Sequence, residues 1–527
     1  MKRMNKKVPG SEETSLLKLG KPSVLFRLIP FLFIAVSFLI YVPVIGRYFV
    51  SDDFKVIYRV CRENTLFIKG FFRPLSDLSI WMNYKLGGFN PTVFNSFNIL
   101  VHGINAYLVY LTCLCWGQKT DNIKNKRFAI FSSAIFLCYP FHNEAVVWLL
   151  GRGASMACLF SLLALVSYFK IEKNSVKQFF FCFFYFISIS AFESTIVLPF
   201  ILLLVLMSEQ KSSRVIRKWA GLSSLTLILH LVLRYEVAGS LLGPYGQDFF
   251  TPRLKMYSLN VVKVAGRLLL PPSGNAIQLS VSFIVLIFSV GILIFINLRK
   301  IRQEKNQRKI LYLSGMLLIS CIIPVLSGVS TQTSETDRAL YFPSVFLSMM
   351  IGELVVYFVN KKRNQYLLFF IILFYNLIFL EKNNLNWKKA SSVTKSIMEK
   401  ITEKNRLRDN GRIFFLNIPK EVDGAYVFRQ GFEDALKLNG FDSNHYLAVN
   451  YISRLDLENM KEKIFIQPGN SETCLPPDIV IKKDSAGCDQ IFSYGQLKFT
   501  SRPGDEIYYW NVDDLEPVQA CNGSNPG

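Results

Sequence analysis

Residues 24–46 read VLFRLIPFLFIAVSFLIYVPVIG and run without a break into RYFVSDDF at 47–54. An apolar run of about 23 residues is long enough to cross a hydrocarbon core of ~30 Å at 1.5 Å per residue. Two adjacent carboxylates, Asp52 and Asp53, follow where the chain leaves that layer. Runs of the same character recur at 95–116, 219–233, 277–298, 309–327, 342–359 and 365–380, and four shorter or interrupted ones lie between 128 and 208. Hydrophobic residues make up 51% of the 527, and the runs are not broken every dozen residues as they are in soluble chains. The pattern predicts a polytopic α-helical membrane protein of about 11 spans. The run at 24–46 lacks a small-residue cleavage site and reads as a retained first helix.

The net charge of +22 does not point to nucleic acid, because the Lys and Arg residues gather in short segments between apolar runs. Segments 2–7, 119–127, 211–218, 299–309 and 361–363 read as cytoplasmic under the positive-inside rule. Placing them inside puts 47–94, the turns at 139–152 and 192–195, and 328–341 outside, together with everything after 381. This parity requires 254–272 to be interfacial or re-entrant, in keeping with Arg253, Lys255, Lys263 and Arg267, which are costly in an isolated span. Three regions result: a cytoplasmic basic N-terminus at 1–23, a transmembrane region at 24–380 and an extracytoplasmic mixed α/β domain at 381–527. In the last of these, 386–405 and 431–437 read as helical and 412–418 as a strand ended by Pro419. Most of the ten cysteines fall in apolar runs; Cys474, Cys488 and Cys521 lie in the tail, where they have material for one disulfide with one thiol left over.

The polar groups of interest fall on the outside by this topology. A carboxylate half-desolvated beside another has its pKa raised, which suits Asp52 or Asp53 to accept a proton from a hydroxyl; the alternative is a solvated helix end. Adjacent carboxylates titrate as a pair, and Asp53 is marginally preferred as the base. The loop continues through FFRPL at 71–75, with Arg73, and its aromatic content suggests a segment lying along the bilayer surface. Asn98, His102 and Asn105 share one side of a span and read as packing between helices. In YPFHNEAVVWLLGR at 139–152, His142, Glu144 and Arg152 flank an apolar run and suit hydrogen bonding and phosphate contact. His142 and Glu144 leave a divalent metal open without a clear third ligand, and no cofactor is firmly indicated. Glu193 interrupts an apolar turn, and Arg338 in TQTSETDRALYFPS at 331–344 suits either a phosphate oxygen or a salt bridge to a neighbouring acid.

Taken in order, FVSDDF at 49–54, FRPL at 72–75, GGFNPTVFNSFNILVH at 87–102, YPFHNEAVVWLLGR at 139–152, FES at 192–194 and DRALYFPS at 337–344 resemble the GT-C superfamily of membrane glycosyltransferases. Within it, the resemblance is to the protein O-mannosyltransferase-like branch that includes the tetratricopeptide-containing transmembrane O-mannosyltransferases. It implies transfer of a sugar from a polyprenyl-phosphate carrier to a glycan, lipid or protein acceptor on the outer face, by direct displacement with inversion. It further implies an acid of the first outward loop, Asp52 or Asp53, serving the acceptor. Substrate and lipid-phosphate contacts fall to Arg73, His142, Glu144, Arg152, Glu193, Arg267 and Arg338, with Arg338, Arg152 and Arg267 the ordered candidates for the phosphate. The tail shows no 34-residue repeat, and NIPKEVDGAYVFRQG at 417–431 looks more like tails of bacterial members, which implies an inner-membrane location. Membrane lipids are the remaining partners. A transporter or flippase of a lipid-linked substrate is the competing reading, though the charges cluster at outer ends rather than at mid-span. A scaffold presenting the tail is the third.

Overall fold

The computed structural model describes residues 24–67, 70–116, 122–241, 254–273, 304–405 and 413–440, with short strands between 449 and 517. The basic segment 1–23, almost all of the run at 277–298 and the three tail cysteines lie outside the described residues. Each other apolar run falls on a helix: α1 (Val24–Tyr41), α4 (Pro91–Trp116), α5 (Asn122–Leu137), α7 (Arg152–Lys170), α8 (Asn174–Ala191), α9 (Leu198–Ser208), α10 (Ser213–Ala238), α12 (Glu304–Ser320), α13 (Ile322–Ser327), α14 (Tyr341–Phe358) and α15 (Lys362–Asn405). Among the described residues, 6 helices are long and apolar enough to cross a membrane by length and composition. Short helices α2 (Asp53–Ile57), α3 (Pro74–Gly87) and α6 (Asn143–Val146) lie in the connections. Helix α11 (Leu254–Arg267) has 14 residues, a rise of about 21 Å that falls short of a ~30 Å core.

The chemistry of each helix surface sorts the bundle. Helix α4 is central, packing against α1, α5 and α7, while α14 packs against α5 and α12. The outer helices leave large apolar side chains uncovered, among them Leu225, Leu229 and Val232 on α10 and Phe370, Ile371 and Phe374 on α15. Faces of this size suit acyl chains rather than water. Helix α1 approaches α4 over Gly103, where a Cβ would lie 2.8 Å from the Ile34 Cα, and beside it the Ser37 hydroxyl donates to the Ile99 carbonyl at 2.9 Å. Small residues at the contact let the two backbones close up, as is usual between membrane helices.

Helix α15 is 44 residues long and continues through Glu381, so the change in composition there falls inside one element. Its polar half leads to β1 (Ile413–Ile418), the hairpin β2 (Glu421–Val422) and β3 (Ala425–Tyr426), and α16 (Phe432–Leu438). Asp423 and Gly424 both have positive φ, 51° and 79°, the combination a two-residue hairpin turn of mirror type requires. Strand β1 pairs in parallel with β4 (Val449–Ser453) and β8 (Glu506–Asn511), and β9 (Asp514–Pro517) closes that sheet antiparallel to β8. Strands β5 (Ile479–Lys483), β6 (Gln490–Tyr494) and β7 (Leu497–Ser501) form a separate antiparallel sheet.

Candidate active site

One end of the bundle gathers the first loop, the 139–152 turn, the 328–341 turn and the tail hairpin. The Ser51 N–H donates to the Val427 carbonyl at 2.6 Å, Ser334 N–H to Gly424, and Asn383 of α15 to the Pro140 carbonyl at 2.6 Å. Asp52 occupies the position just before α2 and is half-buried; Asp53 opens the helix and is fully buried. One oxygen of Asp53 accepts the Val50 N–H at 3.1 Å and lies 3.6 Å from the Arg47 guanidinium. Arg47 is itself buried, donating to the carbonyls of Val147 and Tyr48. Burial pushes the Asp53 carboxyl up to about 6 against the pull of Arg47. Asp52 is raised for the same reason, opposed by Arg429, Arg338 and Lys55.

Glu144 is the hub beside this pair. Its carboxylate accepts the Arg338 N–H at 2.6 Å, the Arg338 guanidinium at 2.7 Å, the Thr336 N–H at 3.3 Å and the Tyr426 hydroxyl at 2.8 Å. A buried carboxylate with four donors is well compensated. Arg338 lies over the Trp148 ring, 4.9 Å from its centroid, and Arg429 over the Tyr426 ring at 4.7 Å. Arg429 also pairs with Glu335 at 2.5 Å. The charges that surround Asp52 therefore come from three separate stretches of chain.

Other residues singled out in the sequence lie elsewhere. Arg152 is buried and donates to Ser79 at 3.1 Å, Asn83 at 2.7 Å and the Phe94 carbonyl at 3.1 Å, all neutral acceptors, with the Phe97 ring 5.0 Å away. His142 faces the bundle interior, bonded to Ser344 at 2.7 Å and packed against the rings of Phe136, Tyr139 and Tyr341. Arg267 is paired with Asp337 in a buried contact and lies over Phe141. Glu193 is shared between Arg73 at 3.0 Å and Arg234 at 2.9 Å, a cluster that joins α3, α10 and the turn before α9. His142 and Glu144 turn to different partners, and no three His, Cys, Asp or Glu side chains among the described residues form a metal-binding group. Asn98, His102 and Asn105 bond to the Trp148 carbonyl, the Tyr341 hydroxyl and the Ser155 carbonyl, bridging helices.

Arg47, Arg234, Tyr426 and Arg429 were not among the residues expected from the sequence. Arg47 sits between an apolar run and the acid pair, a position that marks it as the nearest cation to Asp53. Tyr426 and Arg429 lie in the 417–431 segment noted for its pattern, yet nothing local connects them with Glu144 or Asp52, hundreds of residues earlier.

A multi-span helical membrane protein with a charged cluster of loops at one end is the class this fold and site define. The chain resembles membrane protein O-mannosyl-transferases: it is 37% identical over 97 residues to Protein O-mannosyl-transferase TMTC1 of Mus musculus and 32% identical over 115 residues to TMTC4 of Homo sapiens. These matches take in 18% and 20% of this chain and span only 10% and 16% of the respective relatives. No protein-family model matches the chain. Among solved structures, the crystal structure of ArnT from Cupriavidus metallidurans bound to undecaprenyl phosphate aligns with a TM-score of 0.46 and 12% identity, over 80% of this chain and 89% of that one.

Proposed function

We propose that this protein is a glycosyltransferase that moves a sugar from a polyprenyl-phosphate donor to a glycan, lipid or protein acceptor on the extracytoplasmic face, with inversion. The observation that carries the reading is the convergence of Asp52, Glu144 and Arg338 at one end of a lipid-facing bundle, with Asp53 buried directly behind. The similarity to O-mannosyl-transferases supports the reaction class. In the proposed step Asp52 takes the proton of an acceptor hydroxyl, whose oxygen attacks the anomeric carbon as the bond to phosphate breaks. The polyprenyl phosphate departs with its electron pair. Half-burial leaves Asp52 reachable, whereas Asp53 is closed off and committed to Val50 and Arg47, so proton transfer is assigned to Asp52 and loop geometry to Asp53. Of the three arginines considered for the phosphate, Arg152 and Arg267 have no exposed side-chain surface and Arg338 keeps 21%. Arg338 is accordingly the residue assigned to the developing phosphate charge.

Proteoliposomes containing the full-length chain and a panel of labelled polyprenyl-phosphate hexoses provide the test. Label leaving the lipid fraction for an acceptor fraction, from at least one such donor, is the expected result. Transfer from a nucleotide sugar alone, with every lipid-linked donor untouched, would contradict it.

A further inference from the structure

Segment 426–431 belongs to the tail in sequence yet lies directly on the acid pair. Ser51, the residue before Asp52, has φ of 50°, in the left-handed region where a side chain crowds the backbone. Tail atoms grip it from two sides: its N–H donates to the Val427 carbonyl at 2.6 Å, and its hydroxyl accepts the Gln430 N–H at 3.2 Å. Gly431 passes so close that a Cβ there would lie 2.4 Å from the Ser51 carbonyl oxygen and 3.5 Å from the Asp52 Cα, and its own φ is +79°. Phe428 stacks on Phe54 with ring centroids 5.7 Å apart, one residue past the acid pair. Tyr426 and Arg429 tie the same segment to Glu144 and Glu335.

We propose that segment 426–431 is a positioning clamp for Asp52, holding Ser51 in its left-handed conformation so that the carboxylate is aimed, with Arg429 as the facing charge. The proposal rests on the assignment of Asp52 as the base. Released from the clamp, Ser51 relaxes to negative φ and Asp52 turns with it. The charged groups acting on Asp52 are Arg429, Arg338 and Lys55, which favour its ionised form, and Asp434 and the adjacent Asp53, which oppose it. Arg429 is the foremost of the favourable ones. The tail on this account is part of the site rather than an appendage.

The test uses the full-length chain in proteoliposomes, with Gly431→Ala, Arg429→Gln, Arg429→Lys and Asp52→Asn compared at about pH 4 to 8. Gly431→Ala is expected to lower the transfer rate at least ~10-fold with donor KM unchanged, because orientation rather than donor binding is lost. Arg429→Gln is expected to move the acidic limb of the pH profile upward by about half a unit or more, and Arg429→Lys to leave it in place. A parental rate for Gly431→Ala together with an unmoved limb for Arg429→Gln, while Asp52→Asn is inactive, overturns the clamp and leaves the base assignment standing. A parental rate for Asp52→Asn removes both. Should Gly431→Ala fail to fold, the pH profile of Arg429→Gln decides.

Discussion

Asp53 and Arg47 form a buried pair, compensated by each other and by backbone groups, with the Trp387 ring 5.8 Å from the Arg47 guanidinium. Because the folded-state pKa of Asp53 is raised to about 6, above its unfolded value near 3.8, the folded protein binds the extra proton between those values. Stability is therefore expected to fall as pH rises from about 4 to about 6 and then to level off. Thermal unfolding in detergent across that range checks it, and Asp53→Asn should flatten the dependence. A second expectation concerns Glu144: replacing it with Gln leaves the partly exposed Arg338 without its carboxylate and weakens the tie to Tyr426, with a cost of about 1–3 kcal/mol. The unfolding midpoint of Glu144→Gln measures that. At this scale the sequence revealed the acids and not their partners. An acidic pair after an apolar run is a local pattern, whereas Arg429 reaches Glu335 only through the fold.

Among elements, the apolar runs were legible because a helix facing lipid must be apolar over its whole length, and that requirement writes itself into composition. Helix α3 was not. Its residues mix Trp81, Asn83 and Lys85, a pattern that reads as surface loop until Ser79 and Asn83 of α3 are seen accepting from the buried guanidinium of Arg152. The continuity of α15 through Glu381 was hidden for the converse reason, since a helix that leaves the bilayer changes composition without changing conformation. The contact between α1 and α4 yields a further expectation. Gly103→Leu forces the helices apart at Ile34 and should sharply reduce folded yield, while Ser37→Ala, which removes one hydrogen bond, should cost about 1 kcal/mol. Detergent-solubilised yield and unfolding midpoints distinguish the two effects.

For the molecule as a whole, transfer on the outer face requires the loop cluster and the tail to lie together on that face. Cysteine placed at Lys389, on the polar half of α15, should react with an impermeant maleimide in intact cells, and cysteine at Lys211, in a basic connection, only after permeabilisation; both side chains are exposed. The reverse pattern would invert the topology. Asp52 is proposed to take the acceptor proton at a site built where first loop, turns and tail meet. The most direct test is the transfer rate of Asp52→Asn against the parent, at equal expression and matched unfolding midpoint, with the lipid-linked donor identified by the hexose panel. The expected fall is about 10²-fold or more; transfer by Asp52→Asn at the parental rate would rule Asp52 out as the base.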